Sequence, residues 1–493
     1  MKGVFCRAAR PLLLLFVLFA LASCAVNPVT GKTELMLISE SEELALGTRA
    51  YADSIWSSIG GGGEYDDPEL KAYLSAIVLD IQRASHRPGL PVTFAIQNSS
   101  VPNAWALPGH VVITRGLLVG LESEAEFAFV MGHEIGHVSA RHTARQLTYR
   151  TLQAAGLALA GAALADRGYG EGALAMGAVG SELLLLRFSR ADELEADSLG
   201  VEYMAALGYD PAEAVAAHRN LEKTVSRYME SLGKSPRARG VFEDLLSTHP
   251  RTSVRIEEIN RMVESVAYRG RRGDPTGRER FQDKTSAVRK TDRVYRESYD
   301  RAVAAFSRGD DRAAETLVDG AIAADPGQPP FYVLKGYIML RRKDYAGAER
   351  LFAGALDIDP AYQPAYRGRG TLHYLRGDYR GAVSTLERAV EIFPGDISAR
   401  YYLGMSLYEV RSYGRAAANL DRFASARPRD PAVHYYLGSS YEHTGELGAA
   451  YTEYLIQLKV APSTPEGRLA AARAAALKPI VESPSAPSVR PAP

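Results

Sequence analysis

The sequence predicts an α+β domain, mostly helical with a small sheet, followed by an all-α superhelix of repeated helix pairs. Three observations carry this expectation. Residues 123–146 form a proline-free stretch with apolar residues at helical spacing. Val92-Thr93-Phe94-Ala95-Ile96 and Val111-Val112-Ile113-Thr114 are the clear β runs of the first half. From residue 293 onward the chain repeats with a period of 34 residues.

The chain opens with Lys2, Arg7 and Arg10, then an apolar run from Leu12 to Ala20. A charged start followed by a short apolar stretch is the pattern of a secretory signal. Leu21-Ala22-Ser23-Cys24 resembles the lipobox of bacterial lipoproteins. That resemblance implies a signal peptide over 1–23, cleavage before Cys24 and lipid on its sulfur. Ala25, rather than Asp, resembles the outer-membrane sorting pattern. The expected location is the periplasm, on the outer membrane of a Gram-negative bacterium. The two cysteines are Cys6 and Cys24, so a cleaved chain keeps one and holds no internal disulfide. The 58 basic residues balance the 58 acidic ones. Losing Lys2, Arg7 and Arg10 leaves about −3, which argues against a nucleic-acid partner.

The two β runs predict a small sheet. An edge of it beside the following helix would accept an extended peptide through main-chain hydrogen bonds. In that helix Ser123 stands three residues before Glu126, a capping-box pattern. Phe127, Val130, Met131, Ile135 and Val138 supply a buried face. On the same helix lies His133-Glu134-Ile135-Gly136-His137. Two histidines at i and i+4 share one face, and their imidazoles can converge on one zinc ion. Glu134 then reaches a water on that ion as general base. Chance gives this pattern about once in a hundred chains of such length and composition. Burying two histidines is also costly unless something binds them. Zinc, one per chain, is the expected cofactor.

Thr151 to Arg190 is rich in Ala, Gly and Leu. Its apolar runs, Ala154–Ala165 and Ala173–Leu186, fall short of the ~20 residues needed to span a bilayer. They read as packed helices, either a lid or membrane-facing patch or a plain buried hairpin. Next come Glu193 and Asp197, four apart and on one helix face. They read either as a zinc ligand with a carboxylate that holds a histidine ring, or as a solvated acidic face. Glu195 points about 160° away and is expected at the surface. His142 and His110 read as structural.

At this point the chain resembles the gluzincin peptidases related to the CAAX-prenyl endopeptidases, HtpX and the mitochondrial Oma proteases, over roughly residues 25–265. The resemblance rests on Asn27-Pro28-Val29-Thr30-Gly31, on Asn103-Ala104-Trp105-Ala106-Leu107-Pro108-Gly109, on Gly116-Leu117-Leu118, on His133 through His142, on the Glu193/Asp197 block, and on Ser247-Thr248-His249-Pro250 with Arg255-Ile256. It implies that Glu193 is the third zinc ligand, that Asp197 holds a ligating histidine, and that His249 and Arg255 sit at the active site. Trp105 and His110 stand where the family more often has Phe and Gly. These differences bear on substrate fit, so Asn103 and Trp105 are expected to contact substrate. His249 precedes a proline and so sits in a turn or extended segment. It reads as a donor to the developing oxyanion, as a fourth zinc ligand that keeps the enzyme latent, or as a surface-loop histidine. Arg255 reads as an oxyanion or carboxylate partner, or as a helix-surface ion pair.

Residues 24–265 are thus expected to form the peptidase domain, and 266–292, charged and glycine-bearing, a linker or mobile loop. Beyond it, Pro326, Pro360, Pro394, Pro428 and Pro462 recur every 34 residues. So do Ala302, Gly336, Gly370, Gly404 and Gly438, and Ala314, Ala348, Ala382, Ala416 and Ala450. The period resembles that of tetratricopeptide repeats, five of them over 293–462. Small residues let paired helices approach closely, and proline ends each unit. Residues 463–478 read as a capping helix and 479–493 as a disordered tail. Such arrays bind peptide or protein segments in a groove. Tyr366, Tyr374, Tyr401, Tyr402, Tyr435 and Tyr436 are groove candidates, at least half of them expected to be packing.

The architecture resembles bacterial envelope proteases that aid β-barrel assembly. It implies a periplasmic zinc endopeptidase that degrades misfolded or misassembled outer-membrane proteins, with the repeats recruiting substrate or the assembly machinery. The alternative is mainly a chaperone or scaffold with secondary protease activity; the intact ligand set and Glu134 argue against a vestigial site.

Overall fold

The computed structural model describes residues 24–56, 62–165, 188–231, 253–271 and 273–482. They divide into two compact units, with the boundary between Asp300 and Arg301.

The first unit begins with a hairpin. Strand β1 (Cys24–Val26) pairs antiparallel with β2 (Thr33–Leu35), Cys24 opposite Leu35. Asn27 makes the turn. Its Oδ1 accepts from the backbone N–H of Val29 at 2.9 Å and of Thr30 at 3.2 Å, and Gly31 adopts φ 67°. Helices α1 (Glu40–Ile55) and α2 (Pro68–Ala84) follow. Ser39 and Glu42 form a reciprocal capping box at the start of α1.

The expected sheet is present with three strands: β3 (Thr93–Gln97), β4 (Ala104–Leu107) and β5 (His110–Thr114). The order is β3-β5-β4, with β3 parallel and β4 antiparallel to the central β5. One turn, α3 (Arg115–Leu118), leads to α4 (Glu124–Ser139), which carries the histidine pair. Ser123 caps α4 as expected, accepting from Glu126 N–H at 3.1 Å. The other half of the capping box differs: the Glu126 carboxylate takes the N–H of Glu122 and the amide of Asn220. All sixteen residues of α4 are buried, so the helix has no solvent face. The apolar spacing marks only the side packed on α2 and the sheet, where Leu74, Val78, Ile96, Ile113, Phe127, Met131 and Ile135 form the core.

Helix α5 is His142–Ala165, α6 Arg190–Ala206, α7 Glu213–Ser231 and α8 Ser253–Ser265. Among the described residues no helix is long and apolar enough to cross a membrane. The second apolar run, from Ala173 to Leu186, lies outside the described residues.

The segment read as a linker, 266–292, is largely structural. Its helices α9 (Arg278–Lys284) and α10 (Ser286–Val294) belong to the first unit. Phe281 is fully buried against Phe127, and Thr276 C=O accepts from Ala125 N–H at the start of α4. Arg271 and Arg280 converge on the buried Glu124, and Asp292 pairs with the buried Arg115. Arg271 and Arg280 are therefore partners for a buried carboxylate, and Gly273 and Gly277, at φ 90° and 62°, make turns. The sequence pattern misleads because a charge run looks solvated until its counter-charges are placed.

In the second unit helix pairs recur as expected: α11 (Asp300–Ser307, starting at the boundary) with α12 (Asp311–Ala324), α13 (Pro329–Arg341) with α14 (Tyr345–Ile358), α15 (Gln363–Leu375) with α16 (Tyr379–Ile392), α17 (Ile397–Glu409) with α18 (Tyr413–Ala426), and α19 (Val433–Thr444) with α20 (Leu447–Val460). A terminal helix, α21, runs Pro465–Val481, beyond the expected end of the capping helix at 478; residues 483–493 of the segment read as a tail lie outside the described residues. The reason for the periodic glycines is direct. A Cβ added at Gly336, Gly370, Gly404 or Gly438 would lie under 3 Å from Phe352, Leu386, Leu420 or Tyr454 on the paired helix. Tyr366, Tyr374, Tyr401, Tyr402, Tyr435 and Tyr436 all pack within the array. Tyr374 lies 5.4 Å from Tyr402 between ring centroids, Tyr401 4.7 Å from Phe423, and Tyr366 hydroxyl donates to Pro360 C=O.

Candidate metal centre

Glycines bring α4 and α6 together. A Cβ on Gly132 would lie 3.1 Å from the Gly200 Cα, and one on Gly136 3.1 Å from the Leu199 Cβ. This close crossing lets the short acidic side chains of α6 reach the histidines of α4. Glu193 and Asp197, four residues apart, face the same way, and both are fully buried.

Ligand atoms of His133, His137 and Glu193 lie within 4.8 Å of one another. The Nε2 atoms of His133 and His137 are 3.1 Å apart. Glu193 Oε1 is 3.4 Å from His137 Nε2, and its Oε2 is 3.7 Å from His133 Nε2. Two imidazole nitrogens and one carboxylate, all buried, form a donor set suited to zinc. Burial holds His137 well below the ordinary histidine range, against the opposing pull of Glu193. A neutral ring is the form that offers a lone pair to a cation. Glu134 is also buried.

The surroundings hold these groups in place. His133 Nδ1 lies 2.9 Å from Asp197 Oδ1, so Asp197 meets the ring nitrogen that faces away from the cluster. Arg255, from α8, donates to both Asp197 oxygens at 2.7 Å and lies 2.7 Å from Glu193 Oε2. Of the roles open to Arg255, the structure gives it the carboxylate partner's: it is buried, with two carboxylates on its guanidinium. Burial raises the Asp197 carboxyl, but hydrogen bonds from His133, His218 and Arg255 outweigh this and hold it well below the usual carboxylate range. Phe188 stacks on His137 at 4.2 Å between centroids and shields that ring.

Not every expected residue gathers here. Trp105 is buried on the α1 side of the sheet, beside Tyr51 at 6.3 Å, and its Nε1 donates to Gln97. Its side chain is therefore core, because alternation along β4 turns residue 105 inward. Asn103 is half-buried, with its backbone N–H and C=O both bonded to Thr114. His249 lies outside the described residues. His110 stacks on Tyr51 at 4.3 Å and is structural, as expected. Cys24 is exposed.

Three further residues stand near the centre: His142, read as structural, Glu195, expected at the surface, and His218, which the sequence does not single out. His142 is fully buried, and its Nδ1 lies 2.8 Å from His137 Nδ1. Glu195, expected at the surface, is partly buried and 3.1 Å from His142 Nε2. His218 on α7 stands 3.7 Å from Asp197. The helix wheel of α6 places Glu195 opposite Glu193, and that geometry holds; what it omits is that α5 folds back over the same helix. The Arg141-His142 pair ending the histidine block was the available signal.

Residues 68–263 match peptidase family M48. Tetratricopeptide repeat families match residues 299–363, 339–405 and 401–461. The mitochondrial metalloendopeptidase OMA1 of Arabidopsis thaliana is 34% identical over 206 residues, which cover 40% of this chain and 38% of that one. The β-barrel assembly-enhancing protease of Escherichia coli (strain K12) is 27% identical over 199 residues, covering 39% of each chain. The chain thus spans about two fifths of the length of these relatives. Among solved structures, YrrB, a TPR protein with an unusual peptide-binding site, aligns at 20% identity over 35% of this chain and 88% of that one, with a TM-score of 0.30. The buried His133/His137/Glu193 cluster lies inside the matched segment, and residues 68–263 of this chain therefore form a peptidase family M48 domain, followed by tetratricopeptide repeats.

Proposed function

We propose that this chain is a zinc-dependent endopeptidase of the bacterial periplasm that degrades misfolded or misassembled outer-membrane proteins. The observation that carries the reading is the convergence of His133, His137 and Glu193 with Glu134 one residue along the same buried helix. His133, His137 and Glu193 would hold one zinc ion. When bound, zinc supplies Lewis-acid polarisation of a water and of the scissile carbonyl. Glu134 accepts the proton of the attacking water and returns it to the leaving amine. Asp197 fixes the His133 ring, and Arg255 balances the charge of Asp197 and Glu193. Strand β4 lies at the sheet edge and packs beside α4, so an extended substrate docks along its main chain next to Asn103. Main-chain recognition selects for unfolded segments rather than for a sequence.

Similarity to the β-barrel assembly-enhancing protease of Escherichia coli supports outer-membrane assembly as the setting, and the repeats suit recruitment of a protein partner or substrate. Anchorage rests on the lipobox-like run and the exposed Cys24. Cys24→Ser is expected to move the protein from the membrane to the soluble fraction; retention after a carbonate wash would reject a lipid anchor.

Metal analysis tests the activity. Protein purified with zinc is expected to hold one equivalent and to digest casein until a chelator is added. Glu193→Ala is expected to lose both zinc and activity. Less than about half an equivalent in the wild type would count against the site.

A further inference from the structure

A second group of polar residues sits directly behind the centre. His142 opens α5, where Arg141 takes a left-handed backbone conformation, φ 56°. A non-glycine residue there costs about 1 kcal/mol. Arg141 is held in it by Glu43, 2.9 Å from its Nε, and by the Ile38 carbonyl, 2.8 Å from Nη2. The turn folds His142 back under His137. His142 Nδ1 meets His137 Nδ1 at 2.8 Å, and His142 Nε2 meets Glu195 Oε2 at 3.1 Å and Asp192 Oδ1 at 3.8 Å.

This geometry has a direction. For His137 to offer Nε2 to a cation, its single proton must sit on Nδ1. That N–H then donates to His142 Nδ1, which must carry a lone pair. The proton of His142 is thereby confined to Nε2, where Glu195 accepts it. We infer that His142 is a positioning residue, which locks the tautomer and orientation of His137 by relaying the Glu195 carboxylate to it. The inference rests on the proposed metallopeptidase reading. It makes the two histidines unequal: His133 has a carboxylate, Asp197, on its Nδ1 directly, while His137 reaches one through a second imidazole.

The same three residues, His142, Asp192 and Glu195, have ligand atoms close enough to suggest a second cation site. The surroundings oppose that. Asp192 completes the capping box that Ser189 opens at the start of α6, accepting from Ser189 N–H at 2.9 Å, and pairs with Arg145. Arg145 also lies 3.7 Å from Glu195. A guanidinium already supplies the positive charge, and the His142 N–H points into the cluster.

Zinc affinity, measured by chelator competition on the full-length mature protein, tests this. Removing a residue that supports a metal ligand weakens binding by about 10–100-fold. His142→Phe keeps the ring volume and is expected to fall in that range with stoichiometry still one. Glu195→Gln keeps an acceptor and is expected to lose less than fivefold, whereas Glu195→Ala loses more than Gln does. Nitrogen-15 NMR of the metal-free wild type is expected to show the His137 proton on Nδ1. Affinity of His142→Phe within threefold of wild type, a proton on His137 Nε2, or two equivalents of zinc would each overturn the inference. Should His142→Phe not fold, Glu195→Ala decides: unchanged affinity rejects the relay. A wild type that binds no zinc rejects the proposed function instead, which keeps the two failures apart.

Discussion

The Arg255 guanidinium grips both oxygens of Asp197 through hydrogen bonds of 2.7 Å while its remaining nitrogen lies 2.7 Å from Glu193. Glu193 and Asp197 stand one turn apart on α6, fully buried, and would repel each other without this cation. Arg255 therefore ties α8 to α6 and sets both carboxylates toward the histidines.

Removing one partner of a buried ion pair leaves an uncompensated charge and costs about 3–5 kcal/mol. Arg255→Leu is expected to destabilise the first unit by that order and to reduce zinc content. Arg255→Lys restores the charge but not the two-pronged geometry, and is expected to fall between the two. The tryptophans, Trp56 and Trp105, both lie in the first unit, so denaturant unfolding followed by their fluorescence reports that unit. Equal stability of Arg255→Leu and wild type would mean that the carboxylates are neutralised in another way.

The repeats hide a strained position. Gly309, Gly377 and Gly445 end their helices with φ between 77° and 85°; the matching residues of the other two repeats are Lys343 and Arg411, each at φ 63°. Glycine occupies this conformation without steric cost, whereas side-chain-bearing residues lose about 1 kcal/mol. Lys343→Gly and Arg411→Gly are each expected to stabilise the array by about 0.5–1 kcal/mol, less whatever glycine loses in the unfolded chain. Calorimetry of the full chain checks this: the transition silent in tryptophan fluorescence should rise, and the other should stay.

Burial pushes the Asp300 carboxyl up to about 6, against the pull of Arg115. A folded pKa above the unfolded value means that the folded state binds more protons between roughly pH 4 and 6. This contribution favours folding below that window and is lost as pH rises through it. At pH 8 the ionised group costs about 3 kcal/mol. Asp300→Asn is expected to stabilise the protein, with a gain about 2 kcal/mol larger at pH 8 than at pH 4.5. A gain that does not depend on pH would place the effect elsewhere.

Much of this was legible in the sequence, for physical reasons. Helical spacing puts His133 and His137 on one face and Glu193 and Asp197 on another, and the structure brings the two faces together. The 34-residue glycines and alanines mark close helix approach, which the packing of Gly370 on Leu386 repeats. What escaped depends on contacts distant in sequence. Arg271, Arg280 and Asp292 look like linker until their partners Glu124 and Arg115 are placed. Glu195 looks exposed until α5 covers it, and Trp105 looks like a substrate contact until the strand pleat turns it inward. Periodicity reports one element at a time; it does not report what folds over that element.

In the proposed function, a zinc centre with Glu134 as proton carrier cleaves peptide bonds. Casein hydrolysis by wild type and Glu134→Gln, at matched zinc content, tests it most directly. General acid–base groups contribute about 10²–10⁴-fold. Glu134→Gln is expected to bind one zinc per chain and to lose activity by at least that range. A Glu134→Gln protein that keeps wild-type activity with its zinc in place would contradict it.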